Sequence, residues 1–590
     1  MDHHLKYYHE HLEKYQAEAQ QLYKKMTALS MLRLAVFIGA FFGAYMTFNT
    51  WQIAVSIIVL GIVIFAVLLS RYTDVKAQRA FNKALADINN EEIKIASGDF
   101  HDRDKSLQFQ DPNHFYSLDI DLFGRGSFFQ CVNRTTINEG TQKLADVLTA
   151  NAINHIGLRQ DAIKELRDKI KWRQDYTATS SLVTVETPAK KIIHWLQTHH
   201  MFLPKTMQWL PLVFSISSLL IFSLTIFNVI NYQAIIGYWL LIGLAITGRY
   251  LKKINVLASN TDKVRDTFRQ YALLLDLIEK ASFSSELLKE KQQQIQSGDK
   301  KASAVFKEFS KSLDGLDNRN NLISAILGNG FFLSDLRYSY YIEQWIELHA
   351  DKVADWFDVV SFFDAYNSLG NYAYNHPDFV FPEIKTNGAV INAEGLGHPL
   401  LDKTKRVDSD VIIENEQFFI VTGANMAGKS TFLRTISLHI VMANVGLPVC
   451  AKTSNYSPVK LITSMRTTDS LADESSYFFS ELTRLKYIVD AIQKEPYFIV
   501  LDEILKGTNS TDKAIGSRKF VKKLVASNAT GIIATHDLSL CDIEKELDAV
   551  KNHYFDAEII NDELHFDYTL KTGVCQNMNA SFLLKKMNIV

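Results

Sequence analysis

The stretch Gly423-Ala-Asn-Met-Ala-Gly-Lys-Ser430, which follows the apolar run Phe418-Phe-Ile-Val421, decides the fold of the C-terminal part of the chain. Two glycines five positions apart, followed by lysine and serine, predict a buried strand that turns into a helix around a phosphate group. Apolar residues at helical spacing from Phe432 onward predict that helix. We therefore expect an ATP site formed by Gly423, Ala424, Asn425, Met426, Ala427, Gly428, Lys429, Ser430 and Thr431.

Two further apolar strands are predicted to bring polar side chains to this site. Residues 496–501 lead into Asp502 and Glu503, and residues 531–535 lead into His536. We expect Asp502 and Ser430 to hold Mg²⁺ together, and Glu503 to polarise the attacking water. His536 has two interpretations: it hydrogen-bonds the γ-phosphate or the water, or it only caps a loop.

The alternation of strands and helices between residues 411 and 556 indicates the fold class. It predicts an α/β P-loop NTPase domain with a mostly parallel sheet and helices on both faces. An α-helical core domain, interrupted by two transmembrane helical hairpins, is expected to precede it. The predicted segments are an N-terminal amphipathic helix (1–30), hairpin 1 (31–70), a helical connector (71–116), the first part of the core (117–208), hairpin 2 (209–249), the second part of the core (250–384) and the ATPase domain (385–590).

The two hairpins are predicted from long stretches without charge. Residues 34–70 and 206–248 contain no charged side chain, and each stretch has a polar break near its middle. Each half is about long enough to cross the hydrocarbon core of a bilayer, which predicts four spans; a very apolar soluble core is the alternative. Lysine and arginine flank both stretches on their outer sides, so the positive-inside rule places both termini and the ATPase domain in the cytoplasm.

Composition restricts the remaining possibilities. The net charge of −2 over 590 residues gives no overall electrostatic reason to expect nucleic-acid binding. Four scattered cysteines suggest neither a disulfide framework nor a zinc site. The first thirty residues carry a heptad pattern, which predicts either a coiled coil between two chains or a helix lying on the protein's own helical body. Six lysines at positions 289, 291, 300, 301, 307 and 311 either contact phosphates or form a solvated face.

The sequence resembles the MutS family of mismatch-repair ATPases. The resemblance is carried by residues 422–434, 501–510, 534–536 and 397–400, and more loosely by residues 126–140 and 159–166. It implies that Asn425 lies near the γ-phosphate and that Glu503 is the catalytic base. Residues 469–481 resemble the family's signature segment, which implies that Ser476 reaches the nucleotide of a second subunit and that the chain forms a homodimer.

Departures from the family pattern leave two functions open. Nothing upstream of the helical core resembles the family's mismatch-reading domain, and the first apolar stretch occupies that place. Ser475 stands where the signature usually has arginine. The chain is expected to be either a membrane-anchored ATPase that still binds double-stranded DNA, or an ATP-gated dimerising motor that acts on a membrane or protein partner. A transporter is disfavoured because the apolar stretches contain no charged residue to form a substrate path.

Overall fold

A computed structural model describes residues 3–183, 187–227, 234–296, 300–424, 426–466, 477–560 and 563–576. Its N-terminal part is helical and its C-terminal part is an α/β region. The helices are α1 His3–Met46, α2 Trp51–Ala96, α3 Phe128–Val132, α4 Asn138–Thr149, α5 Ile156–Asp168, α6 Ile170–Ser181, α7 Ala189–Thr198, α8 Leu210–Ile226, α9 Ala234–Gly248, α10 Leu251–Lys280, α11 Glu286–Gln296, α12 Ala302–Asp317, α13 Leu322–Phe332, α14 Ser334–Asn375, α15 Lys429–Val445, α16 Tyr477–Ile492 and α17 Ser510–Ala526. The strands are β1 Glu383–Ile384, β2 Ile391–Leu396, β3 Ser409–Ile413, β4 Phe418–Gly423, β5 Thr453–Tyr456, β6 Lys460–Ser464, β7 Tyr497–Asp502, β8 Thr530–Ala534, β9 Val550–Phe555, β10 Ala557–Ile560, β11 Glu563–Phe566 and β12 Lys571–Thr572.

Helices α1 and α2 form a long antiparallel hairpin. The turn between them falls at the predicted polar break, since α1 ends at Met46 and α2 begins at Trp51. Both helices are long and apolar enough to cross a membrane. Their apolar side chains point outward: Phe41 is 65% exposed and Val59 is 54% exposed. Such a surface is stable only against lipid or another apolar partner.

The polar end of α1 lies on the protein's own helical body. Tyr8 is buried, and its hydroxyl donates a hydrogen bond of 2.7 Å to Asn375 Oδ1 at the end of α14. Asn82 on α2 donates to Glu18 on α1 at 3.0 Å. The heptad positions of the N-terminal helix therefore contact the same chain, as the second interpretation of this pattern expects.

The second apolar stretch corrects the prediction of four spans. Helix α8 has 17 residues and α9 has 15, so they extend about 25 and 22 Å at ~1.5 Å per residue, short of the ~30 Å hydrocarbon core. Among the described residues only α1 and α2 qualify alone as spans, and a third qualifies only if α9 and α10 are joined across a 69° bend. The sequence has enough uncharged residues, but the chain divides them between shorter helices.

The helical body is organised around α14, which has 42 residues. Aromatic side chains of α10 and α12 pack against it, with Phe268, Phe309 and Trp345 in mutual contact. Asp364 of the same helix is buried and accepts hydrogen bonds from the backbone N–H groups of Thr136 and Ile137. This helix ends at Asn375, eight residues before the first strand of the α/β region.

The α/β region is built on a six-stranded sheet in the order β12-β9-β4-β8-β7-β6. The pairs β9–β4, β4–β8, β8–β7 and β7–β6 are parallel, and β12 is antiparallel to β9. Alternate side chains of β4 enter different cores: Phe419 and Val421 lie in the core that includes α15, and Phe418 and Ile420 in the core that includes α16 and α17. The predicted mostly parallel sheet with helices on both faces is confirmed. A second, four-stranded sheet has the order β1-β5-β2-β3.

Candidate active site at the glycine-rich loop

The glycine-rich loop joins β4 to α15, as the sequence predicts. Gly423 ends the strand with φ of 146°, and a Cβ placed there would lie 2.6 Å from the carbonyl oxygen of Phe555. Gly428 precedes the helix with φ of 105°, and Met426 adopts φ of 67°. These positive φ values turn the backbone tightly ahead of a helix N-terminus. Asn425 lies outside the described residues.

The Lys429 side chain is hydrogen-bonded to the backbone of the glycine-rich loop. This side chain is buried, and Nζ donates hydrogen bonds of 2.8 Å to the carbonyl oxygens of both Gly423 and Ala424. Burial lowers the pKa of Lys429 below its usual value, although the carboxylates of Asp502 and Glu503 oppose that shift. The ammonium group is therefore held at the point where the loop bends, with donors that can turn to an incoming anion.

Ser430 and Asp502 meet at the base of the loop. Ser430 Oγ donates to Asp502 Oδ2 over 2.7 Å, across 72 positions of sequence. Asp502 is the last residue of β7, so the parallel sheet brings it beside the start of α15. One hydroxyl and one carboxylate are the hard oxygen donors that suit Mg²⁺, which completes its shell with water and phosphate oxygens. Within the described ranges there is no cluster of three or more His, Cys, Asp or Glu that could hold a metal by itself.

Glu503 directly follows β7, at the carboxyl end of the parallel strands, and has a positive backbone φ. Its φ is 49°, and its N–H donates to the carbonyl of Ala534 at 2.9 Å. Its carboxylate accepts a 2.6 Å hydrogen bond from Lys513 Nζ on α17. Burial raises the pKa of Glu503, but the hydrogen bond and charge of Lys513 outweigh it and leave that pKa below the usual value. Glu503 is therefore ionised and restrained by Lys513, a contact that the sequence analysis did not predict.

Lys429, Ser430, Asp502, Glu503 and His536 all line one cavity of about 710 Å³. Thr431 and Met426 line the same cavity. Burial lowers the pKa of His536, and the nearby charge of Lys429 lowers it further against the two carboxylates. His536 is thus neutral near pH 7 and can both donate and accept a hydrogen bond. Apolar and aromatic side chains line the cavity as well: Leu401, Val407, Phe432, Phe555 and Tyr568.

Comparison with known proteins matches this region to one family. Residues 419–585 match the family model described as MutS domain V. The chain is 31% identical over 234 residues to MutS protein homolog 4 of Homo sapiens, covering 38% of this chain and 24% of that protein. It is 30% identical over 248 residues to the DNA mismatch repair protein MutS of Aquifex pyrophilus, covering 41% and 29%. The C-terminal part of the chain is therefore similar to proteins of the MutS family. The chain spans less than a third of the length of these relatives.

The structure brings together most of the residues that the MutS resemblance singled out. Lys429, Ser430, Asp502, Glu503 and His536 share the cavity, although Glu503 faces Lys513 as well. Ser476 lies outside the described part of the chain, as do all residues of the signature segment (469–481) up to position 476. The MutS resemblance therefore assigns Ser476 a role that stays a prediction.

Glu481 is a site residue whose role the sequence did not indicate. Its carboxylate is buried and accepts hydrogen bonds from the backbone N–H groups of Leu505 at 2.5 Å and Lys506 at 3.1 Å. Leu505 has a positive φ of 60°. Glu481 thus fixes the turn directly after Asp502 and Glu503. In the sequence Glu481 is the last residue of the signature-like segment 469–481, which by itself does not identify its hydrogen-bond partners.

Proposed function

We propose that the C-terminal domain binds ATP with Mg²⁺ in the 710 Å³ cavity and hydrolyses it, while α1 and α2 attach the protein to a membrane. The observation that carries this proposal is the contact between Ser430 and Asp502 in a cavity that Lys429, Glu503 and His536 also line. The matched family model and the names of the relatives, DNA mismatch repair proteins, support a role related to mismatch repair.

The binding roles follow from charge and donor type. Lys429 exchanges its two loop carbonyls for phosphate oxygens, and the N–H groups at the start of α15 face the same anion. Ser430 and Asp502 would hold a magnesium ion, which would supply positive charge to the phosphates. The apolar wall formed by Val407, Phe432 and Tyr568 offers a surface on which a flat base can stack.

Glu503 is the proposed general base. A water molecule attacks the γ-phosphorus and transfers a proton to the Glu503 carboxylate, while the bond from that phosphorus to the bridging oxygen of ADP breaks. Because Lys513 holds Glu503 in the structure, the lysine must release the carboxylate or remain beside it as a positioning residue. Neutral His536 completes the hydrogen bonds around the water or the γ-phosphate.

We propose that the protein forms a homodimer in which Ser476 of each chain completes the ATP site of the other chain. The basic residues flanking the apolar hairpin support a cytoplasmic position for the α/β domain and both termini. For the macromolecular partner, two candidates stand. Double-stranded DNA is supported by the names of the relatives, which are DNA mismatch repair proteins. A membrane or protein partner is favoured because lysines of the helical body are paired with carboxylates. Lys291 is paired with Asp358 at 2.9 Å and Lys300 with Glu308 at 2.9 Å, so two of the six clustered lysines are already neutralised.

The test is ATP turnover of the detergent-purified protein. Glu503→Gln is expected to lower kcat about 10²- to 10⁴-fold, as expected for loss of a general base, while nucleotide binding persists. Glu558→Gln, an exposed glutamate on β10, is the matched control and should turn over ATP like the wild type. Equal turnover in Glu503→Gln and wild type would remove the base assignment.

Duplex DNA added to the same assay separates the two partners. Perfect and mismatched duplexes that change turnover in a salt-sensitive way support the DNA function, because phosphate contacts weaken as salt rises. No salt-sensitive binding, with or without ATP, leaves the membrane or protein partner.

A further inference from the structure

Helix α13 exposes an apolar surface that the proposed ATPase does not use. Its residues Leu322 and Ile323 are 73% and 70% exposed, and Ile326, Leu327 and Phe332 are exposed too. No charged residue occurs between Arg319 and Asp335. A run of this kind on the outside of a soluble body is unfavourable in water. The apolar run of α13 was not predicted to contact a membrane, because it is far shorter than a membrane span.

The position of α13 indicates what covers this surface. Helix α13 packs against α8 and α9, the two short helices of the second apolar stretch. At the closest point a Cβ on Gly243 would lie 2.3 Å from the carbonyl oxygen of Gly330, and the rings of Phe222 and Phe331 are 4.9 Å apart. The outward faces of α8 and α9 continue the apolar surface with Leu212, Ile216, Leu219, Leu220, Leu241 and Ile242.

Backbone groups at both ends of α13 have hydrogen-bond partners, which an environment without water requires. Asn321 accepts hydrogen bonds from the N–H groups of Ile323 and Ser324 at the start of the helix. At its end, the hydroxyls of Ser218 and Ser334 lie 2.6 Å from the carbonyl of Phe331 and 3.1 Å from that of Gly328. Ser218 also accepts a 2.7 Å hydrogen bond from Trp239 Nε1. Terminal helix groups exposed to water need no such partners, whereas groups in hydrocarbon do.

From these contacts we infer that α8, α9 and α13 form a three-helix wedge that enters a bilayer from its cytoplasmic side without crossing it. Ser218, which meets α13, lies nine residues beyond Trp209, or about 13 Å at ~1.5 Å per residue, within one leaflet of a ~30 Å hydrocarbon core. Exposed basic residues stand at the base of the wedge, where anionic headgroups would lie: Lys205, Arg249, Lys252, Lys253 and Arg337. Half-exposed Trp209 occupies the same level, which suits an interfacial aromatic residue.

The wedge rests on the proposed membrane attachment only in requiring a bilayer beside the protein. Ile323→Cys, Val59→Cys and Leu348→Cys each place a label on an exposed apolar position: on α13, on the first hairpin and on the flank of α14. Each variant, labelled with a maleimide fluorophore, is reconstituted into vesicles of phosphatidylcholine and phosphatidylglycerol whose acyl chains are brominated. Labelled wild type gives the background from the native cysteines, three of which are buried.

The wedge predicts that brominated lipid quenches the label at position 323 as strongly as the label at 59, while the label at 348 keeps its fluorescence. Quenching at 59 but not at 323 overturns the wedge and leaves the membrane anchor intact. Such a result is also expected if a second copy of the chain covers α13. Quenching at 323 but not at 59 supports the wedge and removes the anchor formed by α1 and α2. Quenching at neither position removes both.

Discussion

The contact between Lys513 and Glu503 determines when the proposed base is available. The lysine sits in the first turn of α17, ten residues after the glutamate, and holds one carboxylate oxygen at 2.6 Å. Because Lys513 keeps the pKa of Glu503 low, the carboxylate stays ionised as the pH falls. Replacing the lysine removes the charge that favours the ionised form.

We therefore predict that Lys513→Met moves the acidic limb of the kcat profile to higher pH. The sign follows from the direction of the shift: a depressed pKa keeps the base active at low pH, and losing Lys513 lets protonation inactivate Glu503 earlier. ATP turnover measured across pH checks this, with Lys519→Met on the exposed side of the same helix as the control. An unchanged acidic limb would mean that Glu503 does not limit turnover.

Glu481 acts one step further from the chemistry, as a positioning residue. Glu481→Ala leaves two N–H groups, those of Leu505 and Lys506, without their acceptor. Each buried unpaired donor costs about 1–3 kcal/mol, so we predict that the turn after Glu503 loosens and kcat falls. Glu481→Gln retains one acceptor oxygen and should restore part of the activity. Nucleotide affinity, measured separately, should change little, because Lys429 and Ser430 do not contact this side chain.

At the scale of elements, the sequence predicted what local patterns encode. The sequence predicts the β4–loop–α15 unit and the position of Asp502 at the end of β7. Both predictions were possible because apolar runs, glycines and polar residues at strand ends lie close together along the chain. The contacts of Lys513 and Glu481 are not readable, since they depend on how α16 and α17 pack against the sheet. The lengths of α8 and α9 were not predicted correctly either. A stretch without charged residues indicates an apolar segment, but it does not indicate where the helices within it end.

The packing of α9 on α13 is a test at this scale. A Cβ at Gly243 would meet the carbonyl of Gly330 at 2.3 Å, whereas a Cβ at Gly237 on the same helix meets nothing within 4 Å. We predict that Gly243→Ala destabilises the protein by about 1–3 kcal/mol through overpacking, while Gly237→Ala is neutral or gains up to ~1 kcal/mol of helix propensity. Thermal unfolding in detergent compares the two, and equal midpoints would show that α13 is not held against α9.

At the scale of the whole molecule, the helical body holds both flanks of the signature segment. The docking loop, residues 111–122, lies between the body and the α/β region. Its Asp119 accepts hydrogen bonds from Thr463 Oγ1 at 2.5 Å and from the N–H of Arg466 at 2.8 Å, directly before residue 467. On the other flank, Arg484 of α16 donates to the carbonyls of His114 at 3.0 Å and Phe115 at 2.7 Å. Hydrogen bonds therefore join the docking loop to the described residues on both sides of the segment that contains Ser476.

This arrangement predicts that Arg484→Met lowers ATP turnover without weakening nucleotide binding. The substitution removes the donors for three backbone carbonyls, those of His114, Phe115 and Thr463, while leaving the glycine-rich loop and the Ser430–Asp502 pair untouched. Lys486→Met, on the same helix but exposed and paired only with Asp490, is the control and should behave as wild type. Turnover and equilibrium nucleotide binding are measured on the same preparations. If binding falls in proportion to turnover, the docking loop supports the fold of the cavity rather than the placement of the signature segment, and the body does not communicate with the site through Arg484.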